Sequence, residues 1–211
     1  MELLQAAEPL LAPVFTLADT PVSRAELLGT VLALAMVLLN MRVHPAAWPL
    51  AIASSLLYAL LFAHSKLYGE AALQLFFVGM AAWGWWCWLR GTGRDGALLR
   101  VHRLDTRQRW RVALATLLAW PALAGLLIAA TDSTTPWLDA LPTVGSIAGT
   151  LLLGRKALEN WPVWVAVNLI SVALFASKAL WLTTGLYTLF ALMAVAGWRA
   201  WLQLERRDAL A

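Results

Sequence analysis

Residues 48–88 read WPLAIASSLLYALLFAHSKLYGEAALQLFFVGMAAWGWWCW, and residues 161–201 read WPVWVAVNLISVALFASKALWLTTGLYTLFALMAVAGWRAW. Laid over one another without a gap, they match at Trp48/Trp161, Pro49/Pro162, Leu61/Leu174, Phe62/Phe175, Ala63/Ala176, Leu73/Leu186, Phe77/Phe190, Met80/Met193, Gly84/Gly197, Trp85/Trp198 and Trp88/Trp201, always 113 residues apart. The same offset carries Arg42 onto Arg155, so the repeated unit begins near residue 27. Apolar helices resemble one another by composition alone. A Trp-Pro start and a Gly-Trp-x-x-Trp end at one constant spacing need a common origin, and the chain reads as an internal duplication.

Composition says where such a repeat must live. The 211 residues are 61% hydrophobic and 13% charged, with 13 tryptophans, and mean hydropathy is +0.70. One soluble core cannot cover that much apolar surface, so the fold class is an all-α integral membrane protein. Apolar runs at 25–42, 46–63, 67–89, 110–130, 137–154, 161–176 and 180–203 each approach the roughly 20 residues that cross a bilayer as helix. Seven transmembrane helices in a 3+1+3 arrangement follow. The fourth returns the chain across the membrane before the second copy begins, so both copies share one orientation. They are then related by an axis along the membrane normal, as parallel repeats.

The expected organisation is an N-terminal segment at 1–24, loose or interfacial, and a first three-helix repeat at 25–89. A basic cytoplasmic linker at 90–109, a connecting helix at 110–131, a second repeat at 137–203 and a cytoplasmic tail at 204–211 complete it. Seven arginines lie between Arg90 and Arg111; with Arg42, Arg155, Lys156, Arg199, Arg206 and Arg207 they place 13 of the 16 basic residues on one side, leaving Arg24, Lys66 and Lys178 on the other. The positive-inside rule then predicts the N-terminus out and the C-terminus in. The net charge of +4 reads as a topology signal, with no nucleic acid as partner. Glu2 and Glu8 without a basic start argue against a cleaved signal peptide. The single Cys87 allows no internal disulfide.

Gly91-Thr92-Gly93-Arg94-Asp95-Gly96 spells a dinucleotide fingerprint but follows a membrane helix where a strand is required, and it reads as a flexible loop. His44, His64 and His102 sit far apart at loop edges, so no metal or cofactor is expected. No catalytic residues are expected either. Every acid falls in a loop or at a helix end, Glu70 and Glu159 included, and a proton or sodium relay through a membrane needs a carboxylate at depth. Coupled transport and catalysis are thereby disfavoured, which leaves an uncoupled facilitator.

Polar residues at membrane depth mark the candidate site. Asn168 falls in mid-span, where an amide demands a partner or a cavity. Trp161, Trp164, Asn168 and Ser171 share one face at helical spacing, and Thr184, Tyr187 and Ala191 form a second. Gln74 is the repeat mate of Tyr187, Ser55 of Asn168 and Ala51 of Trp164. The first copy is thus the plainer one, and a pocket on the pseudo-axis would be asymmetric. Indole faces attract a cationic ring, while Asn, Gln, Thr and Tyr bond hydroxyls, so the expected ligand has a flat ring and a sugar.

Trp161-Pro-Val-Trp164-Val-Ala-Val-Asn168, followed by Leu182-Thr-Thr184-Gly-Leu-Tyr187 and Gly197-Trp198-x-x-Trp201, resembles the C-terminal signature of the PnuC nicotinamide riboside transporters. The resemblance runs from about residue 25 to the end. It implies a full-length fold related to the SWEET sugar porters, a bacterial cell inner-membrane location and a homotrimer among membrane lipid. It further implies facilitated diffusion of nicotinamide riboside, made net inward by a cytoplasmic riboside kinase acting as functional partner. Substrate contacts are implied at Trp161, Trp164, Asn168, Thr184, Tyr187 and Gln74. Relatives of that family carry thiamine or riboflavin, so these vitamins stay open as alternatives. A SWEET-like sugar porter and a non-transporting scaffold or sensor are the other classes.

Overall fold

In the computed structural model the described residues are 8–17, 20–93, 96–131, 135–177 and 181–208. Glu2, Lys178 and the Arg94-Asp95 pair, each used above, lie outside them. Seven helices are long and apolar enough to cross a membrane: α1 Arg24–Met41, α2 Ala47–His64, α3 Tyr68–Arg90, α4 Thr106–Ala130, α5 Pro136–Gly154, α6 Asn160–Ser177 and α7 Trp181–Asp208. Leucines along α4 such as Leu114, Leu117, Leu118 and Leu126 are exposed. In water that would be untenable; in lipid it is the surface a helix needs. The hydroxyls of Thr116, Thr143, Thr150 and Thr188 donate to carbonyls four residues earlier, satisfying themselves within their own helices.

Two boundaries differ from the hydropathy reading, for a shared reason. α4 starts four residues earlier than its apolar run because Asp105 and Gln108 form a reciprocal capping box over a polar first turn. α7 continues to Asp208 because its last turns carry charge into a paired environment. Hydropathy registers neither. Ahead of α1, where no regular element was expected, a single helical turn (Glu8–Leu11) precedes an antiparallel ribbon of β1 Pro13–Leu17 and β2 Thr20–Ser23. Phe15 pairs with Val22 and Thr16 with Pro21, residues that suit a pleated surface better than a helix. Ser23 caps α1 by accepting the Glu26 N–H at 3.1 Å.

The chain divides into two compact units, residues 1–89 and 90–211, and the same corner is built in each. In the first, Val43 N–H donates to Asn40 O (3.0 Å), His44 N–H to Leu39 O (3.0 Å), Ala47 N–H to His44 O (3.1 Å) and Trp48 N–H to Pro45 O (3.2 Å). In the second, 113 residues on, Lys156 N–H donates to Leu153 O (2.9 Å), Ala157 N–H to Leu152 O (3.0 Å), Asn160 N–H to Ala157 O (3.1 Å) and Trp161 N–H to Leu158 O (3.3 Å). Val43 and Lys156 both sit in the left-handed region, at φ 55° and 52°. For a β-branched valine that conformation costs roughly 1–3 kcal/mol, so the bonded corner imposes it.

Residues 97–105 form an ordered strap rather than a slack loop. Gly93 N–H donates to Ala97 O and Leu99 N–H to Gly91 O, closing a tight return after α3. The strap then binds the α5–α6 corner. His102 exchanges backbone bonds with Lys156 and Leu158, and Lys156 Nζ donates to Leu99 O at 2.9 Å while burial pushes its ammonium below the ordinary range. Glu159 accepts the Leu104 N–H and pairs with Arg109 at 2.8 Å; Arg103 pairs with Glu205 of α7 at 2.8 Å.

Candidate functional site

α6 packs against both α5 and α7 within the second unit, and its face carrying Trp161, Trp164, Asn168 and Ser171 is turned inward. The four positions do different things. Trp161 is 3% exposed. Its ring lies T-shaped on Trp201 at 5.6 Å, in a notch made by Gly197, where a Cβ would stand 2.4 Å from Trp161 Cη2. In the first unit Trp48, also 3% exposed, lies T-shaped on Trp88 at 5.5 Å in a notch made by Gly84, with the corresponding distance 2.3 Å. The indole N–H of each is buried with no hydrogen-bond partner among the described residues. Both rings are therefore held by shape. Trp161, expected to contact substrate, has its ring engaged in the α6–α7 packing, with its indole N–H left for a partner that the described residues do not supply.

Trp164, one turn further along α6, is half-buried and leans on α5 at Gly149. A Cβ on Gly149 would lie 3.0 Å from its Cε2 and 3.1 Å from its Nε1. Another turn on, Asn168 is 6% exposed and Ser171 3% exposed. Neither side chain has a hydrogen bond to another described residue. The amide atoms of Asn168 are not among the polar atoms sealed off without a partner, so this position can still meet something that accepts and donates. Next to it, Val167 fills a second notch at Gly145, where a Cβ would be 2.5 Å from Val167 Cγ2.

On α7, Thr184 and Tyr187 are half-buried. The Tyr187 ring is flanked by Phe175 at 5.1 Å and Phe190 at 6.1 Å, which fixes its plane. Gln74 belongs to the first unit, half-buried on α3. Sequence reasoning missed Gly149 and Gly145. Its available signal was the repeat itself: the mates of Gly149 and Trp164 are Met36 and Ala51, a large and a small residue with their places exchanged.

Seven apolar helices, one of them with a buried polar face, define a multi-pass membrane protein. Residues 23–203 match the family described as Nicotinamide mononucleotide transporter, and the chain belongs to that family. It is a transporter and not an enzyme. It is 28% identical over 174 residues to the nicotinamide riboside transporter PnuC of Escherichia coli strain K12, covering 71% of this chain and 73% of that one. It is 29% identical over 200 residues to the riboflavin/roseoflavin transporter RibM of Streptomyces davaonensis, covering 92% of each. A crystal structure of the vitamin B3 transporter PnuC has the same fold, with TM-score 0.70 and 24% identity across 87% of this chain and 82% of that one.

Proposed function

We propose that the protein carries nicotinamide riboside across a bacterial inner membrane by facilitated diffusion, with the N-terminus outside and the C-terminus in the cytoplasm. Net uptake is driven by a cytoplasmic kinase that phosphorylates the product, and the working assembly is a homotrimer. The observation that carries this reading is the Asn168 amide, more than nine-tenths buried and unpartnered on the same helical face as the half-exposed Trp164. An indole and an amide together suit a cationic ring attached to a hydroxylated sugar, and Thr184 and Tyr187 on α7 supply further hydroxyls. Relatives named for nicotinamide riboside support the choice.

A second reading, riboflavin, is favoured by the RibM relative, which aligns over nearly the full length of both chains. Purified protein in liposomes, offered nicotinamide riboside, nicotinamide mononucleotide, thiamine, riboflavin and a simple sugar, separates the readings by which compound equilibrates. The facilitator mechanism expects equal internal and external levels of a neutral analogue whatever the pH or sodium gradient. Uphill accumulation driven by either gradient would overturn it.

A further inference from the structure

Three glycine notches receive a tryptophan, and one differs from the other two. At Gly84 and Gly197 the ring atoms stand 2.3–2.6 Å from where a Cβ would be, so no side chain fits without unseating the helix pair. At Gly149 the indole of Trp164 stands at 3.0–3.3 Å, tighter than ordinary contact but within a few tenths of an ångström of it. Trp48 and Trp161 are buried in their notches, whereas Trp164 stays half-exposed. A ring so placed rests on α5 without being wholly covered.

Resting on the reading just proposed, we infer that Gly149 is the positioning residue for Trp164: by withholding a side chain from α5 it lets the indole lie back against that helix and leaves the open side beside Asn168 to the ligand. The duplication supports this independently. In the first copy the bulk stands on the other helix, Met36 on α1 opposite in register to Ala51 on α2, and no aromatic is offered. In the second copy the volume stands on α6, and α5 is clear to receive it. Adding one methyl at 149 therefore requires the ring to give way by a few tenths of an ångström.

The test uses the full-length protein in detergent with 5-fluorotryptophan incorporated, the Trp164 resonance being identified by its loss in Trp164→Phe. Gly149→Ala is expected to shift that resonance in ligand-free protein and to weaken nicotinamide riboside or riboflavin, whichever the wild type binds, by about tenfold. Gly79→Ala, at a position with nothing within 4 Å, is expected to do neither. In a Trp164→Ala background Gly149→Ala should cost nothing further, because its effect runs through the ring. An unmoved resonance, or full additivity of the two substitutions, overturns the inference while leaving the transport reading intact. Wild-type protein that binds neither vitamin overturns the transport reading and the ligand role of Gly149 with it. If Gly149→Ala is poorly recovered, Gly149→Ala/Trp164→Phe, whose smaller ring admits the methyl, should restore folded protein; failure of that pair too would overturn the inference.

Discussion

The two copies agree where they hold themselves together and disagree where one of them offers polar groups. The corner bonds at Val43 and Lys156, the tryptophans at 48 and 161, and the glycines at 84 and 197 coincide at one offset. Along the α1–α2 and α5–α6 seams the volumes are traded instead. Gly29 admits the Tyr58 ring in the first copy, with Tyr58 and Thr30 sharing a hydrogen bond at 3.1 Å and Ser54 donating to Gly29 O at 2.9 Å. Their mates are Pro142, Ser171, Thr143 and Val167. Filled with its own tyrosine, the first seam binds Tyr58 to Thr30 and Ser54 to Gly29; in the second, Asn168 and Ser171 make no side-chain hydrogen bond to a described residue. Identity between copies thus marks structure, and difference marks function.

The largest expected effect tests the agreement. Trp48→Ala and Trp161→Ala should each cost about 3–5 kcal/mol of stability, since each empties a closed notch. Thermal unfolding in detergent reads both. If Trp161→Ala unfolds the protein far less than Trp48→Ala and instead abolishes ligand binding, Trp161 returns to the site and the symmetry argument fails.

Disagreement between the copies is probed by Asn168→Leu, expected to weaken a bound riboside by about 1–3 kcal/mol and the free base much less. Ser55→Ala, its mate, should leave calorimetric affinity unchanged. An equal loss for riboside and base would make Asn168 a packing residue. Gln74→Leu, run alongside, decides whether the first copy contributes to binding.

Smaller again is Trp164→Ala, for which about 1–2 kcal/mol of affinity is expected, the size of a desolvated cation–π contact. Binding that survives unchanged would remove the indole from the site. The smallest effect concerns the strap. Glu159→Gln should cost about 0.5–1 kcal/mol, because Arg109 is half-exposed and the pair is screened. Faster tryptic cleavage between Arg103 and Arg111 would register it, and no change in cleavage would assign the holding of the strap to its backbone bonds.

Much of this was legible without coordinates. Spans one to seven follow from apolar length, and the repeat follows from Trp-Pro and Gly-Trp-x-x-Trp. What stayed hidden was pairing. Trp48 and Gly84 were both visible as repeated marks, but periodicity within a helix does not say which ring enters which notch across two helices. Trp161 was placed on the ligand face by its spacing to Trp164 and Asn168. A face, however, extends over several turns, and only the neighbour decides what each turn of it meets. Having a twin at Trp48 was the clue that its ring also packs. The ribbon before α1 and the strap were hidden because short polar segments held by backbone bonds carry no hydrophobic period to detect.

The strap also has a place in time. Arg103 leaves the ribosome 102 residues ahead of Glu205, its partner on α7, an interval of about 5–20 s at ordinary rates of synthesis. Lys156, Leu158 and Glu159 follow it too. The strap's backbone partners on the α5–α6 corner thus arrive midway through that interval, while Arg103 waits for its carboxylate until α7 is made. The fastening is therefore made in two instalments, first to the α5–α6 corner and last to α7, so the strap closes over the second unit only as synthesis of its final helix ends.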